Sequence, residues 1–219
     1  MTSESLRTNS KYLSTSCQCI PHHKSTINIL ILDIAEYNHQ VEQSPRQVRI
    51  EIRGLEKAHR VDEFDCGDEA LNVYLRRFAW KNQAKLSVGA TYIAYEIAQP
   101  RIVLGYYTLA SASVVREQLP SDLTEQLPRY PSLPAALLAR LAVDRRFHRA
   151  GIGKVLLRHA IQSVLTLSKL VGCRYLIVDA YPTAAPWYAK YGFVAITGGA
   201  PGSTQPMLID LRTVEHALP

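Results

Sequence analysis

Residues 135–170 constrain the fold of this chain more than any other stretch. Ala135–Val143 is nearly continuous apolar sequence, broken only by Arg140, which predicts a central strand buried on both faces. Seven residues follow in which Asp144, Arg145, Arg146, His148 and Arg149 supply a charged turn, and then Gly151 and Gly153. From Gly151 to about Leu170, Ile152, Val155, Leu156, Ala160, Val164 and Leu167 recur at three- and four-residue intervals, the pattern of a long helix with one apolar face. Gly172 supplies its stop. A buried strand that leads through a glycine turn into a long helix needs a second strand to receive that helix, so the chain is of the α/β type.

The rest of the sequence supplies the partners. Val48, Ile50 and Ile52 alternate with charged residues as in a strand, and Ala70, Leu71, Tyr74, Leu75 and Phe78 give a helical region opened by Asp65–Gly67 and broken at Gly89. Thr91–Ile97, Ile102–Val114, Tyr175–Ala180, Phe193–Ile196 and Met207–Leu211 read as further strands, with short helices at Asp122–Leu127 and Thr183–Tyr191. The expected architecture is a mixed α/β (α+β) sheet of six to seven strands flanked by helices, in one domain over residues 46–219. Residues 1–45, of which the first 25 are rich in Ser, Thr, Asn and Gln, read as a disordered or non-native extension. Within them Ile27–Ile34 has the composition of a short strand or helix but no element to pair with before Pro45, and Cys17, Cys19, His22 and His23 have ligand-like chemistry without the second half of a metal site. No apolar run approaches the ~20 residues that span a bilayer, so the expectation is a cytoplasmic protein with no membrane partner.

The strand–glycine–helix junction also has a chemistry. A helix start presents unpaired backbone N–H groups with a partial positive charge, and glycines let a ligand approach the backbone closely, which together suit a pyrophosphate. The residues that form such a site are Leu141, Ala142 and Val143 at the strand end and His148, Arg149, Ala150, Gly151, Ile152, Gly153 and Lys154 in the loop and first helical turn. The glycines have a simpler use as well, since a tight turn and close helix–strand packing ask for them too. The segment is neither GxxxxGK[ST] nor GxGxxG. A net charge of +6, with a basic surplus of seven beyond residue 45, favours a polyanionic partner without naming one.

His148 to Gly153 resembles the acetyl-CoA motif of the GNAT acetyltransferases, Gln/Arg-x-x-Gly-x-Gly/Ala, with His148 departing at the first position. Trp187-Tyr188-Ala189-Lys190-Tyr191-Gly192-Phe193 is similar to the ending of the same fold. Phe64-Asp65-Cys66-Gly67 with Ala70-Leu71-Asn72 and Tyr74-Leu75, Val103–Leu109 and Leu138–Asp144 resemble the TacT-like toxin acetyltransferases, and the resemblance spans about residues 48–211. It implies a GNAT fold, acetyl-CoA as co-substrate without a metal, and acetylation of the α-amine of aminoacyl-tRNA. It also implies neutralisation by a small ribbon-helix-helix antitoxin, and a homodimer.

The resemblance further implies direct attack of a neutral amine on the thioester. Tyr188 is then the proton donor to the departing thiolate, and backbone N–H near Val143 polarises the carbonyl. Pro186 is compatible with a helix here if Thr183 is its N-cap. Asp144, Asp179 and His159 are eligible as bases by chemistry alone, and a water chain is the alternative. Two other readings stay open at this point: a GNAT enzyme of a small-molecule or protein amine, and a GNAT fold that binds CoA without catalysis.

Overall fold

The alternation of β-branched and aromatic residues with polar ones yields one continuous sheet, and the apolar stripe of the long helix covers one of its faces. In the computed structural model, residues 30–33, 47–125, 127–198 and 204–217 are described. Cys17, Cys19, His22 and His23, with the metal reading attached to them, lie outside the described residues. The strands are β1 (Leu30–Asp33), β2 (Gln47–Gly54), β3 (Ala90–Glu96), β4 (Gln99–Val115), β5 (Ser132–Val143), β6 (Tyr175–Ala180), β7 (Val194–Ala195) and β8 (Gln205–Asp210). The helices are α1 (Glu69–Val73), α2 (Ser121–Thr124), α3 (Ile152–Val171), α4 (Ala185–Ala189) and α5 (Leu211–Ala217).

The sheet order is β1-β2-β3-β4-β5-β6-β8-β7, and every pairing is antiparallel except β5 with β6. That one parallel pair requires a crossover, and α3 supplies it. The sheet is mixed and flanked by helices, as expected. Its eighth strand is Leu30–Asp33, which pairs antiparallel with β2 and so finds its partner beyond Pro45.

Of three hydrophobic clusters among the described residues, one gathers Val114, Leu133, Tyr175, Ile177 and Leu208 near the start of β5, and the two that frame the site lie on opposite faces. On one, Leu156, Ala160 and Val164 of α3 meet Leu104, Tyr107, Ala136, Leu138, Leu176 and Val178 from the central strands. On the other, Tyr74, Leu75 and Ala79 meet Ile93, Tyr106 and Ala142. The helical region on this second face departs from the expected continuous helix. After the single α-helical turn-and-a-half of α1, capped by the Asp68 carboxylate on the N–H groups of Ala70 and Leu71, it widens into π-helical turns at Tyr74–Ala79 and Asn82–Leu86. It ends at Ser87 in the left-handed conformation (φ 52°), two residues before the glycine expected to break it. At the other end of the chain Leu211 opens α5 rather than closing the last strand.

Candidate active site in the gap between two parallel strands

β5 and β6 pair only from Ala135↔Tyr175 to Leu137↔Ile177. Both continue, β5 to Val143 and β6 to Ala180, without bonding to each other. The edge of β5 beyond Leu137 therefore presents backbone N–H and C=O groups to a gap, and a backbone edge of that kind seeks a partner. Before the gap, Ala136 and Leu138 lie in the α3-side core. The pairing with β4 then slips, Leu109↔Leu138 giving way to Thr108↔Arg140 with Ala139 left over. The extra residue rephases the strand. Leu141 and Val143 now pack toward α3, while Ala142 joins the opposite core. Gly105 of β4 makes the close stacking possible: a Cβ there would stand 2.8 Å from both the Ala142 carbonyl oxygen and Leu156 Cδ1.

At the open end of the gap, Asp144 fixes the loop. Its fully buried carboxylate accepts from the Arg146 backbone N–H (2.9 Å), from Arg146 Nε (2.8 Å) and from the Asp65 backbone N–H (3.2 Å). A 3-10 turn, Arg145–Phe147, follows, and Arg149 (φ 64°) and Gly151 (φ 80°) both take the left-handed conformation. Only glycine does so without strain. Gly151 is also the N-cap of α3 and offers no side-chain acceptor, so the first-turn amides of Ile152, Gly153 and Lys154 have no side-chain cap and carry the positive end of a 20-residue helix. A Cβ on Gly153 would meet only ordinary contacts, 3.6 Å from Trp187 and 3.7 Å from Val143, so the protein itself tolerates alanine there. His148 points its ring back into the loop, with Nε2 2.9 Å from the Val143 carbonyl oxygen to which it donates. The loop residues named from sequence, from Leu141 through Lys154, thus lie together along one strand end and one helix start. This arrangement fits an acyl-CoA: amides and an exposed lysine for the pyrophosphate, a free strand edge for the pantetheine amides.

Tyr188 stands on α4, which follows β6 across the gap. The N-cap is Ala184 rather than Thr183, and the Tyr181 carbonyl accepts from the N–H groups of Ala184 (2.8 Å) and Ala185 (3.0 Å). Pro186 still falls in the first turn, where its missing N–H costs nothing. The Tyr188 ring sits edge-to-face with Trp187 (4.9 Å) and Phe193 (5.4 Å) in the α3-side core. Burial pushes its pKa up to about 12, so the hydroxyl holds its proton at neutral pH.

The three bases eligible by chemistry part company. Asp144 is spent on the loop. His159 is a packing residue: Nδ1 lies 2.6 Å from Tyr107 Oη, its ring stands 5.7 Å from that of Tyr92, and burial lowers its pKa, keeping it neutral. Asp179 is exposed on β6 beyond the last pairing with β5, and strand alternation puts it on the face opposite α3, because Val178 and Ala180 belong to the α3-side core.

From its residues alone, Asp65–Gly67 reads as the opening of a helix. In the structure this turn braces the loop instead. Arg145 pairs with the Asp65 carboxylate and its backbone N–H donates to the Asp65 carbonyl (2.9 Å). Buried Asn72 donates to Asp65 Oδ1 (3.0 Å) and accepts from the Cys66 N–H (2.9 Å). An amide among the apolar positions of a helical pattern was the available signal, since a buried amide needs built-in partners.

Comparison with known proteins gives this arrangement a family. The model of the acetyltransferase (GNAT) domain matches residues 134–203, the span from β5 to the end of the gap. The chain is 32% identical over 142 residues to a tRNA-acetylating toxin of Mycobacterium tuberculosis, covering 64% of this chain and 82% of that one. Among solved structures it is similar to AtaT complexed with acetyl-methionyl-tRNAfMet, at 29% identity and a TM-score of 0.70, over 78% of this chain and 99% of that one. It is also similar to a tyrosine-to-phenylalanine mutant of the AtaT toxin bound to the C-terminus of the antitoxin AtaR and acetyl-CoA. That match has 27% identity and a TM-score of 0.62, over 77% of this chain and 97% of that one. With a relative 32% identical and covered over 82% of its length, and with the acetyltransferase domain model lying on the strands and helix that frame the gap, the chain belongs to the GNAT family of acetyltransferases.

Proposed function

We propose that this chain transfers the acetyl group of acetyl-CoA to the α-amine of an aminoacyl-tRNA and so blocks translation. The observation that carries the reading is the gap beyond Leu137↔Ile177, which has the start of α3 at one end and Tyr188 on one bank. The pyrophosphate lies on the amides of Gly151–Lys154, and the pantetheine arm continues β5 as a missing strand. An apolar hollow of about 220 Å³ begins at Lys154 and runs beside Arg158, Ile161 and Tyr191; it takes the adenosine end. The acceptor nitrogen attacks the thioester carbonyl, whose oxygen is held by backbone N–H near Val143. The C–S bond then breaks, and the sulfur takes the Tyr188 proton. Burial keeps the tyrosine protonated but makes it a weaker acid, which the same burial offsets by raising the proton affinity of the thiolate; the tyrosinate then recovers a proton from solvent. The proton leaving nitrogen passes to water, with Asp179 the one candidate base on the exposed side.

Relatives named as a tRNA-acetylating toxin and as a toxin in complex with acetylated tRNA support the acceptor. The relative bound to its antitoxin supports a protein partner, for which a small ribbon-helix-helix protein is the proposed type, and a homodimer the proposed assembly. Among the described residues no helix is long and apolar enough to cross a membrane, and the cytoplasm is the proposed location.

The test is cell-free translation with purified protein, with and without acetyl-CoA, and with Tyr188→Phe alongside. Arrest that needs both acetyl-CoA and Tyr188 is the expected result. Undisturbed translation, with acetyl-CoA still raising the melting temperature, would reassign the acceptor to a small-molecule or protein amine.

A further inference from the structure

We infer that Arg140, seated on the ring of Tyr74, is the acceptor-positioning residue of this enzyme, and that its guanidinium takes the last phosphodiester of the aminoacyl-tRNA, the one preceding the terminal nucleoside. This rests on the aminoacyl-tRNA reading above.

Arg140 is the one charged residue in β5, and sequence gave it no task. The slip at Ala139 turns it away from α3: Arg140 and Ala142 share the face on which Ala142 packs with Tyr106 and Leu75. There the guanidinium carbon lies 3.9 Å from the centroid of the Tyr74 ring. Tyr74 is itself buried, and it opens the first π-helical run. Wide turns of this kind re-aim side chains and recur at functional sites.

The charge balance around this arginine is incomplete. Arg53, Arg60, Arg76, Arg145, Arg146 and Arg174 each pair with a carboxylate, while Arg77 and Arg129, which have none among the described residues, are exposed to water. Arg140 is half-buried, and among the described residues no carboxylate pairs with it. An aromatic face holds a guanidinium flat but leaves its five N–H donors to find acceptors elsewhere. A half-buried cation held in a fixed plane without an anion is prepared for one that arrives with a ligand.

Its position selects the ligand. Arg140 immediately precedes Leu141–Val143, the strand edge along which the thioester arm lies, and stands on the bank opposite Tyr188, α3 and α4. Those elements close the α3 side by packing; on the other face the core of Tyr74, Leu75 and Tyr106 leaves Arg140 only half-buried, so the acceptor enters beside Arg140. In an aminoacyl-tRNA the α-amine is separated from the last phosphodiester by one ester and one ribose. Along β5, Arg140 and Val143 are three residues apart, about 10 Å. With the amine at the thioester, the first anion of the acceptor comes level with Arg140, and a guanidinium meets a phosphate through two parallel hydrogen bonds.

The experiment compares wild type, Arg140→Met and Arg140→Lys on three probes carrying the same amino acid, chosen by first screening tRNAs charged with each amino acid. The probes are the intact aminoacyl-tRNA, an aminoacyl-CpA dinucleotide with one phosphodiester, and aminoacyl-adenosine with none. Arg140→Met is expected to lose roughly tenfold to a hundredfold in kcat/KM on the first two and less than about twofold on aminoacyl-adenosine. Arg140→Lys, which keeps the charge and the stem but not the fork, is expected to fall between, again only on the phosphate-bearing probes. The melting-temperature shift produced by acetyl-CoA should be the same in all three proteins. An equal loss on all three probes would overturn the inference, since Arg140 would then act on the fold or the thioester. Wild type that binds acetyl-CoA but acetylates none of the charged tRNAs would instead overturn the aminoacyl-tRNA reading beneath it.

Discussion

The two banks of the gap are built by different means. The α3 bank comes from one stretch of chain: β5, the glycine loop and α3 are contiguous, and its binding groups are backbone amides whose direction follows from the helix itself. The opposite bank is assembled from residues far apart in sequence: Arg140 from β5, Tyr74 from a π-helical turn, and Asp65 and Asn72 from the turn and helix that brace Asp144. A backbone site is robust because no side-chain exchange except to proline removes an N–H. A side-chain site is adjustable because each member can be changed alone. The bank proposed to hold acetyl-CoA is of the first kind, and the bank proposed to face the acceptor is of the second.

The largest effect expected on the α3 bank is Tyr188→Phe, which removes the proposed proton donor and leaves the ring packing intact. Turnover should fall by roughly a hundredfold or more while the acetyl-CoA-induced rise in melting temperature persists. A variant with undiminished turnover would strike Tyr188 from the mechanism and leave the α3 bank with binding alone.

Next comes the seam between the banks. Gly105→Val forces a side chain into the 2.8 Å contacts with Ala142 and Leu156, an overpacking of about 1–3 kcal/mol that denaturant unfolding would register. Asp144→Ala tests the brace. It leaves the Arg146 and Asp65 donors without their acceptor, at about 2 kcal/mol, and should weaken acetyl-CoA binding along with stability. Loss of stability with unchanged acetyl-CoA affinity would show that the loop keeps its shape without the far bank, and the contrast drawn above would sharpen.

The smallest effect concerns His159. Its pKa is lowered in the folded state by burial, so the unfolded chain binds more protons in the acid range. The stability tied to a neutral His159 is therefore complete above the ordinary histidine pKa and lost as pH falls from there toward the folded value. The melting temperature should drop less between pH 7.5 and 5.5 in His159→Gln than in wild type. The comparison has to be made as a difference between proteins, because the His59 pKa is lowered by burial too. An identical drop would mean that the Tyr107–His159 contact opens before it titrates.

The parts legible in the sequence are those whose physics is local. Strand alternation, the apolar stripe of α3 and its closing Gly172 each depend on neighbours a few residues away, and they placed the main strands and α3 within a few residues. Tyr188 stood out as a candidate because a family pattern sits on it, and the glycine loop because glycines follow a buried strand as well. The sequence was silent where partners are distant: it offered no sign that Leu30–Asp33 pairs beyond Pro45, that Asp144 is spent on holding Arg146 and Asp65, or that His159 is enclosed with Tyr107. The π-helical widening at Tyr74 escaped for a related reason, since a helical spacing of apolar residues fits an α-helix and a wider one nearly equally.

By itself, then, the order of residues determined a mixed sheet crossed by one long helix and the backbone site where strand hands over to helix, because periodicity and glycine act over a single turn. Only the tertiary structure decided where β5 and β6 part, which face of β5 carries Arg140, and which of three acids and bases remain free. Each of those depends on a one-residue slip in register or on a hydrogen bond between segments some eighty positions apart.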